Sequence, residues 1–122
     1  MNLDRDSEIG DIEKSKNNLR GVNLMGANLD GINLVCGNLH GIRLNNAFLM
    51  GASLMGANLC QANLGGANLR GAKLNNSDLR DAKFQGTNLK GADLRFAKNL
   101  THQQLKVAIT DKTTQLPSYL LI

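Results

Sequence analysis

One apolar position recurs along most of the chain. From Leu19 to Leu94 every fifth residue is a leucine, except where Phe84 takes its place. Two positions before it stands a small or apolar residue, Ala in nine of sixteen repeats, and two positions after it stands Gly in ten. A period of five would spread the leucines around an α-helix, and on a continuous strand it would point successive leucines to opposite faces. The chain must therefore turn once in every repeat.

Each repeat is expected to contain a very short extended segment and one corner. A spacing of two places the leucine and the small residue before it on the same, inward side of the segment. Glycine suits the corner because a tight bend needs positive φ, and Asn46, Asn76 and Asp81 replace it with residues that tolerate this conformation. Periodicity of this kind predicts an all-β solenoid.

The repeated frame Ala-Asn-Leu-x-Gly, as in Ala57-Asn58-Leu59 and Ala67-Asn68-Leu69, resembles the motif of the pentapeptide-repeat family. That motif is a small residue, Asn or Asp, Leu or Phe, and two variable positions. The resemblance covers residues 17–96 in sixteen repeats. It implies a right-handed quadrilateral β-helix with four repeats in each coil, and hence about four coils.

The N-terminal segment, residues 1–16, differs from the repeats 17–96. It is polar and rich in acids, and Ile9 and Ile12 are its apolar anchors. Two interpretations remain open for it, a mobile tail and a weak N-terminal cap.

The C-terminal segment, residues 97–122, is predicted to cap the last coil. Thr101 and Gln104 have the spacing of a capping box, which predicts a helix from His102 to about residue 110. So short a helix needs an apolar surface to lie on, and the inward residues would be Leu105, Ala108 and Ile109.

An apolar tail follows the predicted helix. It either completes the cap or pairs two molecules end to end, and the whole ending resembles the capping segment of many bacterial family members. The candidate cap or dimer residues are Leu116, Tyr119, Leu120, Leu121 and Ile122.

Neither a run of eighteen apolar residues nor a basic leader followed by an apolar stretch is visible, which favours a cytoplasmic protein without a membrane segment. Cys36 and Cys60 fall in different outward columns and are expected to be free thiols.

Outward residues twenty positions apart should form columns along the solenoid. Columns rich in asparagine are expected to hydrogen-bond along the stack. His40 and Cys60 share a column, but a metal site needs three or four ligands and no carboxylate joins them. With no phosphate-binding loop, paired acids or Ser-His-Asp set apart from the frame, we expect no catalytic residue, no cofactor and no metal.

Charge bears on the family's activities. The net charge is +4, and the repeats hold eight Lys or Arg against four Asp. Acidic family members imitate DNA and occupy type II topoisomerases, and this surface has too few carboxylates for that role. DNA mimicry therefore remains an alternative, as does a basic rod that binds nucleic acid.

Several outward positions carry large apolar side chains instead of Asn, Gly, Arg or Lys. Such residues gathered along one edge suggest contact with another protein, although they could also pack on one another over the corner. We interpret the chain as a protein-interaction or scaffold module, either a monomer or an end-to-end homodimer. Its candidate partner surface, here called the apolar edge, consists of Val35, Phe48, Met50 and Met55.

Overall fold

A computed structural model describes residues 5–121 of the chain. Helix α1 spans Arg5–Lys14, and a 3-10 turn spans Lys16–Asn18. The repeats follow, then helix α2, His102–Lys106, and a second 3-10 turn, Ser118–Leu120. None of the helices in the described part of the chain is long and apolar enough to cross a membrane.

The repeats form a parallel ladder that rises one rung every twenty residues. Among the described residues the extended segments are so short that each contributes a single bridged residue, as in Asn38↔Asn58 and Asn58↔Asp78. From Leu19 to Leu79 the amide of each central leucine donates to a carbonyl nineteen residues later, for example Leu29 to Phe48 at 2.7 Å. Leu89 and Leu94 donate instead to Ile109 O and Gln115 O in the C-terminal segment. Four such columns of bridges begin at Asn23, Asn28, Asn33 and Asn38.

Each corner is a tight turn closed by one hydrogen bond. The carbonyl of the central leucine accepts from the amide three residues on, as Leu29 accepts from Ile32 at 3.0 Å. The residue two positions after the central leucine has positive φ in all sixteen repeats, ten times as glycine. A turn with positive φ at its third residue is of type II, which is why glycine dominates there.

The core is a continuous apolar column inside the solenoid. The central residues from Leu29 to Leu94 are at most 1% exposed, and the small residues two positions before them fill the space between. Two polar residues share this interior: the hydroxyl of Ser77 donates to Leu74 O at 2.7 Å, and that of Thr87 donates to Leu64 O at 2.6 Å. Buried hydroxyls are tolerated there because both find an acceptor.

Helix α1 lies across the first circuit of repeats. Ile9 and Ile12 pack against the core but remain half-buried, and no residue of α1 is fully buried. A carboxylate oxygen of Glu13 accepts from the Asn33 amide at 2.9 Å, so α1 supplies an acceptor that a further coil would otherwise supply. The sequence pattern offered no sign of this helix.

Helix α2 begins at His102 as expected, and the predicted capping box is present: Thr101 Oγ accepts from the Gln104 amide at 3.1 Å, and Gln104 Oε1 accepts from the Thr101 amide at 2.8 Å. The expected end near residue 110 is wrong, because the helix ends at Lys106. A turn at Val107 and a bend at Ala108 follow, and Ile109 then bridges Asn88.

The expected burial of Ile109 is also wrong. Leu105 and Ala108 pack against the core, whereas Ile109 is 46% exposed. The reason is its bridge to Asn88, which puts it in an outward column.

Candidate protein-binding surface

The outward asparagines that directly precede a central leucine accept hydrogen bonds within their own repeats. Oδ1 of Asn68 accepts from the amide of Arg70, two residues on, at 3.1 Å, and Asn58 does the same for Cys60 at 3.0 Å. The expected bonding of these columns along the stack is therefore not what the structure has. The side chain instead satisfies an amide at the edge of its own segment, as short polar side chains commonly do in turns.

The repeat centred on Leu49 breaks this pattern, because Phe48 replaces the asparagine. The amide of Met50 thereby loses its usual acceptor, and Oδ1 of Asp30, one rung below, accepts from it at 2.8 Å. Phe48 and Met50 are 49% and 43% exposed, one on each side of buried Leu49. The exposed apolar pair is thus accommodated because a side chain of the preceding circuit accepts the hydrogen bond of the Met50 amide.

The other members of the apolar edge share the neighbouring column, Val35 in the first circuit and Met55 in the second. Val35 and Met55 are consecutive in one column, since the amide of Cys36 donates to Met55 O at 2.8 Å. Met55 is 37% exposed and Val35 is half-buried. Met25, in the first circuit, adds a further methionine that is 45% exposed.

The apolar tail divides into inward and outward residues. Leu120 is 8% exposed and Leu116 packs against the core, whereas Leu121 is 68% exposed. Tyr119 is 46% exposed, but its hydroxyl donates to Ala97 O at 2.7 Å and accepts from the Leu100 amide at 3.1 Å. Ile122 lies outside the described residues.

Sequence reasoning missed Phe96, which is 70% exposed beside this tail. It occupies a corner position, with φ of 67°, where the same column has Cys36, Gly56 and Asn76. Phe96 follows the central residue Leu94 by two positions, which is the corner position of the repeat, and this spacing could have identified it from the sequence.

Basic side chains outnumber the acids available to them. Within residues 5–121 one ion pair forms, between Arg95 and Asp93 at 2.7 Å. Arg95 donates to both carboxylate oxygens and holds the pKa of Asp93 well below its usual range, although partial burial opposes this shift. Arg70 and Lys73 are exposed and belong to no ion pair within that range.

The column of His40 and Cys60 is not arranged for catalysis. Burial raises the pKa of the Cys60 thiol, and a hydrogen bond to Asp78 acts in the same direction, whereas a nucleophilic cysteine needs a lowered pKa. Both cysteines are free, and the described part of the chain brings together no group of three potential metal ligands.

Parallel bridges of single residues surround a column of leucines, and sixteen corners have a residue of positive φ. This arrangement defines a β-helical solenoid built from five-residue units. A family model described as pentapeptide repeats (8 copies) matches residues 18–51, 33–71 and 62–98. The chain belongs to the pentapeptide-repeat family, whose structures imply a right-handed quadrilateral β-helix.

Two solved structures from the cyanobacterium Nostoc are similar to this fold. HetL, a pentapeptide repeat protein involved in heterocyst differentiation regulation, is 31% identical over 66% of this chain and 41% of its own, with a TM-score of 0.58. The pentapeptide repeat protein alr5209 is 24% identical over 92% of this chain and 84% of its own, with a TM-score of 0.54. This chain thus spans less than half of HetL. No match was found among the curated proteins.

Proposed function

We propose that the chain is a non-enzymatic module that binds another protein through the apolar edge formed by Val35, Phe48, Met50 and Met55. The observation that carries the proposal is the exposed pair Phe48 and Met50, at a place where the repeat frame would have an asparagine. Exposed apolar side chains that cluster on a regular polar surface favour an interaction site, and methionine adapts well to a partner's shape.

The contact of Asp30 with the Met50 amide supports this proposal. Removing an asparagine from the frame leaves an amide without its local acceptor, and here a neighbouring circuit supplies one. A side chain with only a structural role at position 48 would gain most from asparagine, as at Asn28 and Asn68 in the same column. The phenylalanine forgoes that hydrogen bond, which supports a role for it beyond the local turn.

DNA mimicry is the weaker alternative, because it needs regular free carboxylates. Three of the four acids in the repeats are engaged within the fold: Asp30 accepts from the Met50 amide, Asp78 from the Arg80 amide and the Asn99 side chain, and Asp93 from the Arg95 side chain. Binding of nucleic acid by the unpaired Arg70 and Lys73 is the second alternative, and it predicts strong dependence on salt.

Affinity capture with three purified proteins tests the proposal. They are the wild type, a double variant that combines Phe48→Asn and Met50→Arg, and a control double variant that combines Arg70→Ser and Lys73→Ser. Both substitutions in the first variant use residue types found in the same columns at Asn68 and Arg70, so the fold should remain intact. A partner that the wild type retains should be captured about tenfold less well by this variant, because large apolar anchors dominate interface energies.

The control should retain the partner. If the basic variant loses it while the apolar variant keeps it, the binding face is the basic one and the proposal is wrong. Loss of topoisomerase activity on titration, or binding to DNA that salt abolishes, would favour the corresponding alternative.

A further inference from the structure

A groove of about 540 Å³ lies between the last repeat and the apolar tail. Arg95, Phe96 and Lys98 form one wall, and Leu116, Tyr119 and Leu121 form the other. It is separate from the apolar edge, whose residues lie in the first two circuits of the solenoid. We call it the C-terminal groove.

Phe96 has an unfavourable backbone conformation and is largely exposed. Its φ of 67° lies in the left-handed region, which disfavours a bulky side chain, and its ring is 70% exposed. One rung below, the same corner holds Asn76 at φ 62°, a residue that tolerates this region. A strained, exposed aromatic ring beside an apolar groove favours a binding role for that groove.

The opposite wall is held in place before anything binds. Both hydrogen bonds of the Tyr119 hydroxyl, to Ala97 O and from the Leu100 amide, fix its ring on the last circuit. Leu116 packs on the core, so the groove is bounded by ordered side chains and an incoming apolar group would meet a preformed surface.

The polar groups of the groove favour an anionic partner. Lys98 is exposed and makes no ion pair within residues 5–121, and the Phe96 amide has no acceptor among those residues. Arg95 is already paired with Asp93, and none of the described residues lining the groove is an Asp or Glu. The free donors therefore suit carboxylates or carbonyls of a ligand whose apolar side chain lies between Phe96 and Tyr119.

We propose that the C-terminal groove binds an acidic peptide segment of another protein, through an aromatic or large aliphatic residue with carboxylates beside it. A peptide suits the groove better than a small molecule does, because the groove is open and small-molecule sites enclose most of their ligand. The ligand carbonyl or carboxylate accepts from the Phe96 amide, and Lys98 contacts the flanking acids.

Selection from a phage-displayed library of random peptides tests both parts of the proposal. The wild type is the target, and the support without protein is used for counter-selection. Enriched peptides should contain Asp or Glu next to an aromatic or large aliphatic residue. Synthetic versions should bind the wild type, and lose at least about tenfold in affinity with Phe96→Asn or Lys98→Glu. Gln61→Asn, at an exposed corner of positive φ in another column, is the matched control and should bind them as the wild type does.

Thermal melting provides the independent readout. Phe96→Asn should melt at the same temperature as the wild type or higher, since asparagine relieves the strained corner. A midpoint several degrees lower would mean that Phe96 supports its own fold and would overturn the proposal. So would an absence of enrichment, enrichment of basic peptides, or equal affinity for Phe96→Asn. Self-association of the wild type in sedimentation, lost in Phe96→Asn, would make a second copy the occupant and refute the acidic partner.

Discussion

The bond between Asp30 and the Met50 amide leads to a quantitative prediction about coupling. Asp30→Ala should destabilise the wild type by about 1 kcal/mol, the net value of a typical hydrogen bond, because this bond is exposed to solvent. The same change in a Phe48→Asn background should cost only a few tenths, because the introduced asparagine would accept from the Met50 amide as Asn68 does for Arg70. The coupling energy is therefore expected to be about 0.7 kcal/mol, with the double variant more stable than additivity predicts.

Urea unfolding followed by circular dichroism measures all four proteins of this cycle. The four free energies can be compared if the unfolding free energy depends on urea with the same slope in each protein. An equal slope also shows that the substituted repeat protein still unfolds cooperatively. Asp30→Ala combined with Asn88→Ala is the control, since Asn88 serves the Lys90 amide three rungs away. Those two effects should add within about 0.5 kcal/mol.

An equal cost for Asp30→Ala in both backgrounds would refute the reasoning. It would mean that Asp30 stabilises the protein by something other than the Met50 amide. The backbone carbonyl of Asp30, which accepts from Arg5, is unchanged by the substitution and does not confuse the result.

Two further predictions concern the ends of the solenoid. Gly37→Ala should lower stability by about 1 kcal/mol or more, because a Cβ at position 37 would lie 3.1 Å from Lys16 O. Ala57 occupies the same column one circuit later. Circular dichroism melts of both Gly37→Ala and Ala57→Gly would check whether the crowding is specific to the N-terminal segment. Asp93 has a lowered pKa in the folded state, so its stabilisation is present above the unfolded value of about 3.9 and is lost as the pH falls below it. Urea unfolding between about pH 4 and pH 2 should therefore show a shallower loss of stability for Asp93→Asn than for the wild type, and parallel acid limbs would contradict this reasoning.

The repeated part of the fold was predictable because each position has one local task. A leucine fills the interior, a small residue leaves room beside it, and a corner residue must accept positive φ, so a period of five carries all three constraints at once. The hydrogen bonding of the outward asparagines was not predicted correctly. Their position in columns suggested bonds between circuits, whereas the nearer amide of the same repeat is the better-placed donor.

The ends were less predictable because tertiary contacts decide them. Helix α1 has no buried residue and no strong apolar stripe, and bonds such as that of Glu13 to the Asn33 amide hold it on the first circuit. At the other end, the bridge from Ile109 to Asn88 stops α2 after five residues. In both places the unpaired edge of the terminal circuit determines the local structure. The sequence does not show which edge is unpaired until the repeats have been assigned to circuits.

Departures from the frame are the informative positions on so regular a surface, and the two exposed phenylalanines differ in an instructive way. Phe48 removes a local acceptor, and Asp30 in the preceding circuit replaces it, so the cost is offset within the fold. Phe96 brings a bulky ring into a corner of positive φ and is left 70% exposed. Stabilisation by Phe96→Asn would therefore support the proposed binding role of Phe96.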